Sequence, residues 1–391
     1  MPLALLALTL AAFAIGTTEF VIVGLIPTIA GDLHVSLPSA GLLVSVYALA
    51  VAIGAPILST LTGGLPRKIL LIGLMGLFTF GNLLAWLAPG YASLVMARIL
   101  TGLAHGVFFS VGSVVASRLV PREKAARAMA TMFSGMTVAF VLGIPLGTWI
   151  GQHFGWHASF LVVAVFGLIA LLGAMALVPA DIEQTPAAPW HRQWRVLLKP
   201  DLLRVYAMTA IGYGGSLIAF TYLAPILQRM AGFAPEQLGP VLMAYGISVA
   251  VGNLWGGRLT DRHGPITALA ILFGLLSLVL MLLGLTMHSK PLLVLTVLAW
   301  GAVAFGNVPA LQVLVLRQAE RTAPDAIDIA AGFNISAFNL GVAGGAWIGA
   351  ETVTRIGLAA TPWIAAAFTL IALAVTGWSA RRDRLPPRIT G

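Results

Sequence analysis

Residues 47–54 read YALAVAIG, and residues 245–252 read YGISVAVG. The same offset of 198 positions relates GTWIG at 147–151 to GAWIG at 345–349, and Leu25-Ile26-Pro27 to Leu223-Ala224-Pro225. One such match arises easily among apolar residues; three in one register do not. The offset is about half of the 391-residue chain, so the sequence reads as one unit written twice.

Composition says what that unit is. Hydrophobic residues make up 59% of the chain and charged residues 9%, with a mean hydropathy of +0.97. A soluble domain runs nearer half apolar and a quarter charged. A water-soluble enzyme, a disordered regulator and a nucleic-acid binder with a charged surface are excluded. There is no cysteine, so disulfides and thiolate chemistry are excluded too. No GK[ST] phosphate loop is present, so the chain carries no ATPase of its own.

Crossing about 30 Å of hydrocarbon takes about 20 apolar residues in a helix. Runs of that kind lie at 3–27, 40–62, 69–88, 91–117, 128–150, 157–179, 203–228, 236–258, 266–287, 291–316, 327–350 and 360–380. The expected fold is an all-α membrane protein of twelve transmembrane helices in two pseudo-symmetric six-helix bundles. The first bundle covers 1–179. A polar linker follows at 180–202 (DIEQTPAAPWHRQWR within it), then the second bundle at 203–380 and a tail at 381–391. Six spans per half is an even number, which makes the repeat parallel. Two such bundles facing each other across a cavity are the architecture of rocking-bundle transporters.

The net charge is +9, and its placement is a topology signal. With the N-terminus inside, 18 of the 22 Lys and Arg fall in inner loops and the tail. Arg229, Lys290 and Arg355 fall outside, and Arg98 lies within a span. The positive-inside rule then predicts both termini in the cytoplasm of a bacterial inner-membrane protein. No nucleic-acid partner is expected. Ala12–Ala14 (AFA) resembles a signal-cleavage site, but no Lys or Arg precedes it and the segment has a counterpart in mid-chain. It is read as a retained span.

Four segments carry a family resemblance: TTEFVIVGLIP at 17–27, ARILTGLAHGVFF at 97–109, LGIPLGTWIG at 142–151 and GRLTDRHG at 257–264. With them the chain resembles the major facilitator superfamily, in particular the twelve-span drug:proton antiporters of the sugar-efflux, arabinose-efflux permease-like type. The resemblance implies a cytoplasmic gate motif, G-x-L-x-D-R-x-G, intact here as Gly257, Leu259, Asp261, Arg262 and Gly264. In the family the aspartate latches a helix N-terminus or an arginine when the transporter is outward-open. The first-half copy is degraded: Gly63 stands where the aspartate would be, although Arg67 and Lys68 remain. The resemblance also implies that Gly143, Pro145 and Gly147 mark an antiporter helix, and that Arg98 is tied to proton coupling.

The residues themselves single out three ionisable groups inside the bilayer, Glu19, Arg98 and His105. Such groups cost about 2.5–3.5 kcal/mol or more in hydrocarbon, so they should face a cavity or a partner. His105 follows Arg98 by seven residues, close to two turns, which puts them on one face. At about 1.5 Å per residue, Glu19 and Arg98 lie roughly 13 and 10 Å below the outer ends of their spans, and His105 roughly 21 Å. Glu19 and Arg98 are therefore expected near one another. At the repeat offset they map to Leu217 and Thr296, and His105 maps to Val303. A scaffold requirement would appear in both halves, so these groups read as functional. Burial disfavours a carboxylate's charge and a nearby cation favours it. A change of exposure between two states can therefore load and release a proton, and Glu19 is the expected carrier.

Spans 1, 4, 7, 10 and 11 are expected to line the cavity, offering Phe20, Phe108, Phe109, Tyr213, Phe220, Tyr222, Trp300, Asn307, Gln312, Asn334 and Asn339. Aromatics with scattered amides suit a neutral or amphiphilic small molecule. The expected function is proton-coupled export of small organic compounds, drug-like or sugar- or nucleoside-like, by alternating access. The alternative is proton symport for uptake of a sugar or nucleoside. The expected partners are substrate, protons and the lipid bilayer. The chain is expected to act as a monomer with no cofactor, no catalytic residue and no metal.

Overall fold

The computed structural model describes residues 2–62, 64–121, 124–180, 182 and 195–383. Gly63, most of the linker at 180–202 and the tail beyond residue 383 lie outside the described residues.

Lipid offers no partners to a backbone N–H or C=O, so a spanning segment satisfies them within a helix. Twelve helices long and apolar enough to cross a membrane are found among the described residues. They are α1 (Leu3–Asp32), α2 (Leu37–Leu58), α3 (Arg67–Trp86), α4 (Tyr91–Arg118), α5 (Arg127–Phe154), α6 (Trp156–Leu177), α7 (Pro200–Met230), α8 (Pro235–His263), α9 (Pro265–Thr286), α10 (Lys290–Thr322), α11 (Ile329–Arg355) and α12 (Leu358–Arg381). Each matches an expected span. Several run past the apolar stretch, as α1 does to Asp32, because the helical hydrogen bonds continue after hydropathy falls. Two helix-to-helix reversals use Gly155 (φ 83°) and Gly264 (φ 78°), a left-handed backbone that favours glycine.

The repeat is visible in the packing. In the first half α1 packs on α5 and α6, α2 on α4, and α3 on α4 and α6. In the second half α7 packs on α11 and α12, α8 on α10, and α9 on α10 and α12. The glycines of the antiporter helix have a structural task here. Ideal Cβ atoms on Gly143, Gly147 and Gly151 would run into Thr17, Val21 and Leu25 of α1. Both series step by four residues in the same direction, so α5 lies closely along the helix that carries Glu19.

Three spans are irregular, α5 and α10 at mid-depth and α7 in its last third. In α10, Pro309 lacks the N–H that would bond the carbonyl of Phe305, and the helix breaks at Phe305 and Gly306. Asn307 repairs part of the loss by donating its Nδ2 to the carbonyl of Ala304 (2.9 Å). Pro225 acts likewise on Thr221, where α7 turns at Thr221 and Tyr222 before a π-turn at Ile226–Met230. In α5 a π-turn at Ala139–Gly143 precedes Pro145.

The halves meet through α2 with α11, α5 with α8 and α1 with α7. Ser45 donates to the carbonyl of Ala343 at 2.8 Å. A Cβ on Gly41 would strike the Tyr222 hydroxyl, and one on Gly246 would strike the carbonyl of Phe140. These contacts lie between mid-depth and the end of the bundle where α1 finishes. At that end a cleft of about 550 Å³ runs along the seam, between Pro27, Gly31 and Pro38 on one half and Arg229 and Thr354 on the other. The structure is therefore a conformer joined at the Asp32 end. Gly246→Ala should disfavour it by about 1–3 kcal/mol, since the added methyl meets backbone that cannot yield. Spin-label distances across the Asp32 end should lengthen in that variant. An unchanged distance distribution would mean that Gly246 is not a closure contact.

Candidate functional site

Glu19, Arg98 and His105 are brought to one place, with α2 contributing a residue absent from the sequence-based list. Glu19 lies just past the middle of α1 and is buried, with 4% of its surface exposed. Its Oε2 is buried and has no hydrogen-bond partner among the described residues. The nearest cationic candidate is His105, whose Nδ1 is 3.9 Å away, too far for a hydrogen bond. That Nδ1 lies instead 2.9 Å from the hydroxyl of Tyr47 on α2.

Glu19 and Arg98 lie near one another, but Arg98 meets the main chain of Glu19 and not its carboxylate. Arg98 Nη1 donates to the carbonyl of Thr18 (2.6 Å), Nη2 to that of Glu19 (3.2 Å) and Nε to that of Leu43 (3.4 Å). Its guanidinium also lies over the Tyr47 ring, 4.0 Å from the centroid. The reason is the lean of helical side chains toward their own N-terminus. The two helices are antiparallel. Glu19 therefore leans one way, toward His105, and Arg98 leans the other way, where it meets carbonyls of α1 that point to that helix's C-terminal end. Arg98 thereby ties α1 and α2 to α4. Thr18 adds a bond from its hydroxyl to Asn82 Oδ1 of α3 (2.7 Å).

Arg98 and His105 do share a face of α4, since both touch Tyr47. Gly102 and Gly106 lie along the same contact. A Cβ on Gly102 would stand 2.6 Å from the carbonyl of Tyr47, and one on Gly106 would stand 2.8 Å from that of Val51. Their lack of a side chain lets α2 approach until the Tyr47 hydroxyl reaches His105.

The expected cavity residues divide. Phe20 faces Phe220 across the halves at 6.2 Å, and Phe140 joins Phe20 and Phe305, each at 4.7 Å. Tyr213 packs on Phe305 and Phe338. Trp300 packs edge-on to Phe220 and donates to Ser216. Phe108 and Phe109 form a separate group beside His105, with Phe109 stacked on Phe133. These rings are packed against one another, so in this conformer they fill the space expected to be open. Tyr222 stands at the closure contact with Gly41. Asn334 is used within the second half, accepting from Thr209 (2.7 Å) and donating to Gln312 (3.1 Å). Asn307 repairs its own helix break. Asn339 donates to the carbonyl of Ile335 and keeps a buried, unpaired Oδ1.

At the opposite end from Asp32, the gate motif forms the last turns of α8. Gly264 supplies the reversal, while Asp261 and Arg262 are exposed. Asp261 has no hydrogen bond or ion pair among the described residues. Nothing stands within 4 Å of a Cβ on Gly257. The turn borders a cleft of about 320 Å³ with Arg317 and Arg321 of α10. Arg67 and Lys68 begin α3, at the corresponding turn of the first half.

Sequence reasoning missed Tyr47 because it lies in the repeated segment and reads as scaffold. A usable signal was the repeat itself: its counterpart Tyr245 also recurs, yet only the first half has a histidine one helix away. Glu351 and Arg355 form an exposed pair at 2.7 Å.

Twelve membrane-spanning helices in two repeated bundles, with a buried ionisable cluster at mid-depth, define a polytopic secondary-transporter fold. The family model for the Major Facilitator Superfamily matches residues 8–327, and the chain belongs to that family. It is 44% identical over 384 residues to the MFS-type transporter YtbD of Bacillus subtilis (strain 168), covering 97% of each chain. It is 38% identical to the inner membrane transport protein YdhP of Escherichia coli (strain K12), covering 97% of this chain and 96% of that one. Among solved structures, the human organic anion transporter MFSD10 superposes with a TM-score of 0.70 at 17% identity, over 96% of this chain and 98% of that one. That likeness shows the fold.

Proposed function

We propose that this protein is a proton-coupled exporter of small organic compounds in the bacterial inner membrane, working as a monomer by alternating access with both termini in the cytoplasm. The observation that carries the reading is Glu19, a buried carboxylate with an unpartnered oxygen beside His105. It can take up a proton without breaking an existing bond. The 18-to-3 distribution of basic residues supports the orientation, and the name of YdhP supports the membrane. With that orientation the conformer joined at the Asp32 end is open to the cytoplasm. Ser110 and Ser134 are exposed well inside α4 and α5, as polar groups lining a wet cleft would be. Export is supported by the glycine and proline pattern of α5, which the resemblance ties to antiporters. Proton symport of a sugar or nucleoside is the second reading, because the same carboxylate serves either direction.

Everted membrane vesicles with an internal pH dye, challenged with monosaccharides, nucleosides and cationic dyes, test the proposal. Export predicts proton movement out of the acidified lumen on adding substrate. Proton movement in the opposite sense indicates symport, and none with any compound rejects coupling.

Asp261 is proposed as the latch of the cytoplasmic side in the outward-open state. Its exposure and its lack of a partner among the described residues fit a contact made only in the other state. Asp261→Asn should lower the outward-open population about fivefold, the effect of about 1 kcal/mol for a carboxylate at a helix N-terminus. Spin-label distances across the end carrying Asp261 will show it. A distribution matching the parent would leave GRLTDRHG as a turn only.

A further inference from the structure

Tyr47 sits at the crossing of everything in the first-half site. Its hydroxyl is 2.9 Å from His105 Nδ1, and that same nitrogen is 3.9 Å from Glu19 Oε2. Its ring lies under Arg98, three of whose N–H groups bond carbonyls of α1 and α2. The ring is thus held from above by a guanidinium bonded to α1 and α2, and from the side by the close approach of α2 to Gly102 and Gly106. The titratable and charged groups facing this point are Glu19 on α1, Tyr47 on α2, Arg98 and His105 on α4, and Tyr213 on α7 from the other half.

A nitrogen that carried the proton would have two acceptors to choose from. The carboxylate is the stronger, since a hydrogen bond to an ionised acceptor is roughly twice as strong as a neutral one. The imidazole nevertheless faces the phenol and leaves Glu19 Oε2 without a partner. That arrangement follows if Nδ1 is the acceptor and the phenol the donor. The ring nitrogen not in contact then bears the proton, as the hydrogen bond at one nitrogen sets the tautomer.

We propose that Tyr47 is the positioning residue of this site: its O–H donates to His105 Nδ1, holds the imidazole in the Nε2–H tautomer, and so keeps His105 from satisfying Glu19. The carboxylate is left open to a proton. The second half supplies the comparison. Tyr245 occupies the repeat position, but Val303 stands where His105 would be, and the Tyr245 hydroxyl is buried without a partner among the described residues. The tyrosine belongs to the repeated scaffold, and its hydrogen bond belongs to the first half alone. This inference takes its functional meaning from the proposal that Glu19 carries the proton.

The test needs no substrate. Full-length protein labelled with ¹⁵N-histidine and ¹³C-carboxyl glutamate is placed in lipid nanodiscs, and signals are assigned by subtracting spectra of His105→Gln and Glu19→Gln. In the parent the His105 Nδ1 signal should be that of an unprotonated, accepting nitrogen. In Tyr47→Phe, which keeps the ring, the populations should reverse toward Nδ1–H by about tenfold, the worth of one hydrogen bond. In Tyr245→Phe the His105 signals should remain parental. A protonated Nδ1 in the parent, or parental signals in Tyr47→Phe, overturns the positioning role. The Glu19 carboxyl signal reports separately on the underlying reading. If it keeps one protonation state from about pH 5 to about pH 9, Glu19 is not the carrier, whatever the tautomer result.

Discussion

Glu19→Gln should insert and fold as the parent does and lose proton-driven transport altogether. Glutamine keeps the shape of the side chain but carries no exchangeable charge state. The substitution breaks no hydrogen bond at Oε2, because that atom has none. A buried carboxylate without a partner is costly and glutamine carries no charge, so the melting temperature should stay level or rise. Substrate exchange without a pH gradient should survive, since it needs the conformational cycle and not the proton. The measurement compares pH-gradient-driven transport with exchange in the same vesicles. Undiminished gradient-driven transport would remove Glu19 from the carrier role.

Arg98→Ala should be inactive for a different reason. The guanidinium links three main-chain carbonyls on two helices and carries the Tyr47 ring. Its loss should cost on the order of 3 kcal/mol, because hydrogen bonds to a charged group contribute about 1.5–3 kcal/mol each and the carbonyls keep their helical bonds. Arg98→Lys retains the charge but not the planar fork of five donors. It reaches one carbonyl at a time, so a small part of the stability and activity should return. Melting in detergent beside transport in vesicles distinguishes the roles. Parental melting of both variants would show that Arg98 is not a link between helices, and parental transport by both would show that it has no part in coupling.

Much of this molecule was legible in its sequence, and for a local reason. A spanning helix must be apolar along its whole length and must satisfy its own backbone. The twelve spans could therefore be read one at a time. The 198-residue offset then set which helices play equivalent parts, and the pairing of α1 with α5 and of α7 with α11 follows it. Glu19, Arg98 and His105 stood out for the same reason, as rare charges in an apolar background without counterparts in the second half.

Helix position gives depth but not direction, and this is where sequence reading stopped. Two groups at similar depth on antiparallel helices lean toward opposite ends, which sends Glu19 to His105 and Arg98 to the main chain. Tyr47 was invisible because a tyrosine in a repeated apolar segment looks the same whether its hydroxyl is orphaned, as in Tyr245, or paired, as here. The irregular turns of α7 and α10 had their prolines in plain view, yet a proline inside a helix can be absorbed, as Pro27 is in α1. Composition, repeat and intramembrane charge were fixed by the chain alone, because the hydrocarbon acts on each residue separately. The partner of each charge, the joined end of the bundle and the filling of the central space by aromatic rings were decided only by tertiary structure, because they depend on how side chains from helices far apart in sequence meet.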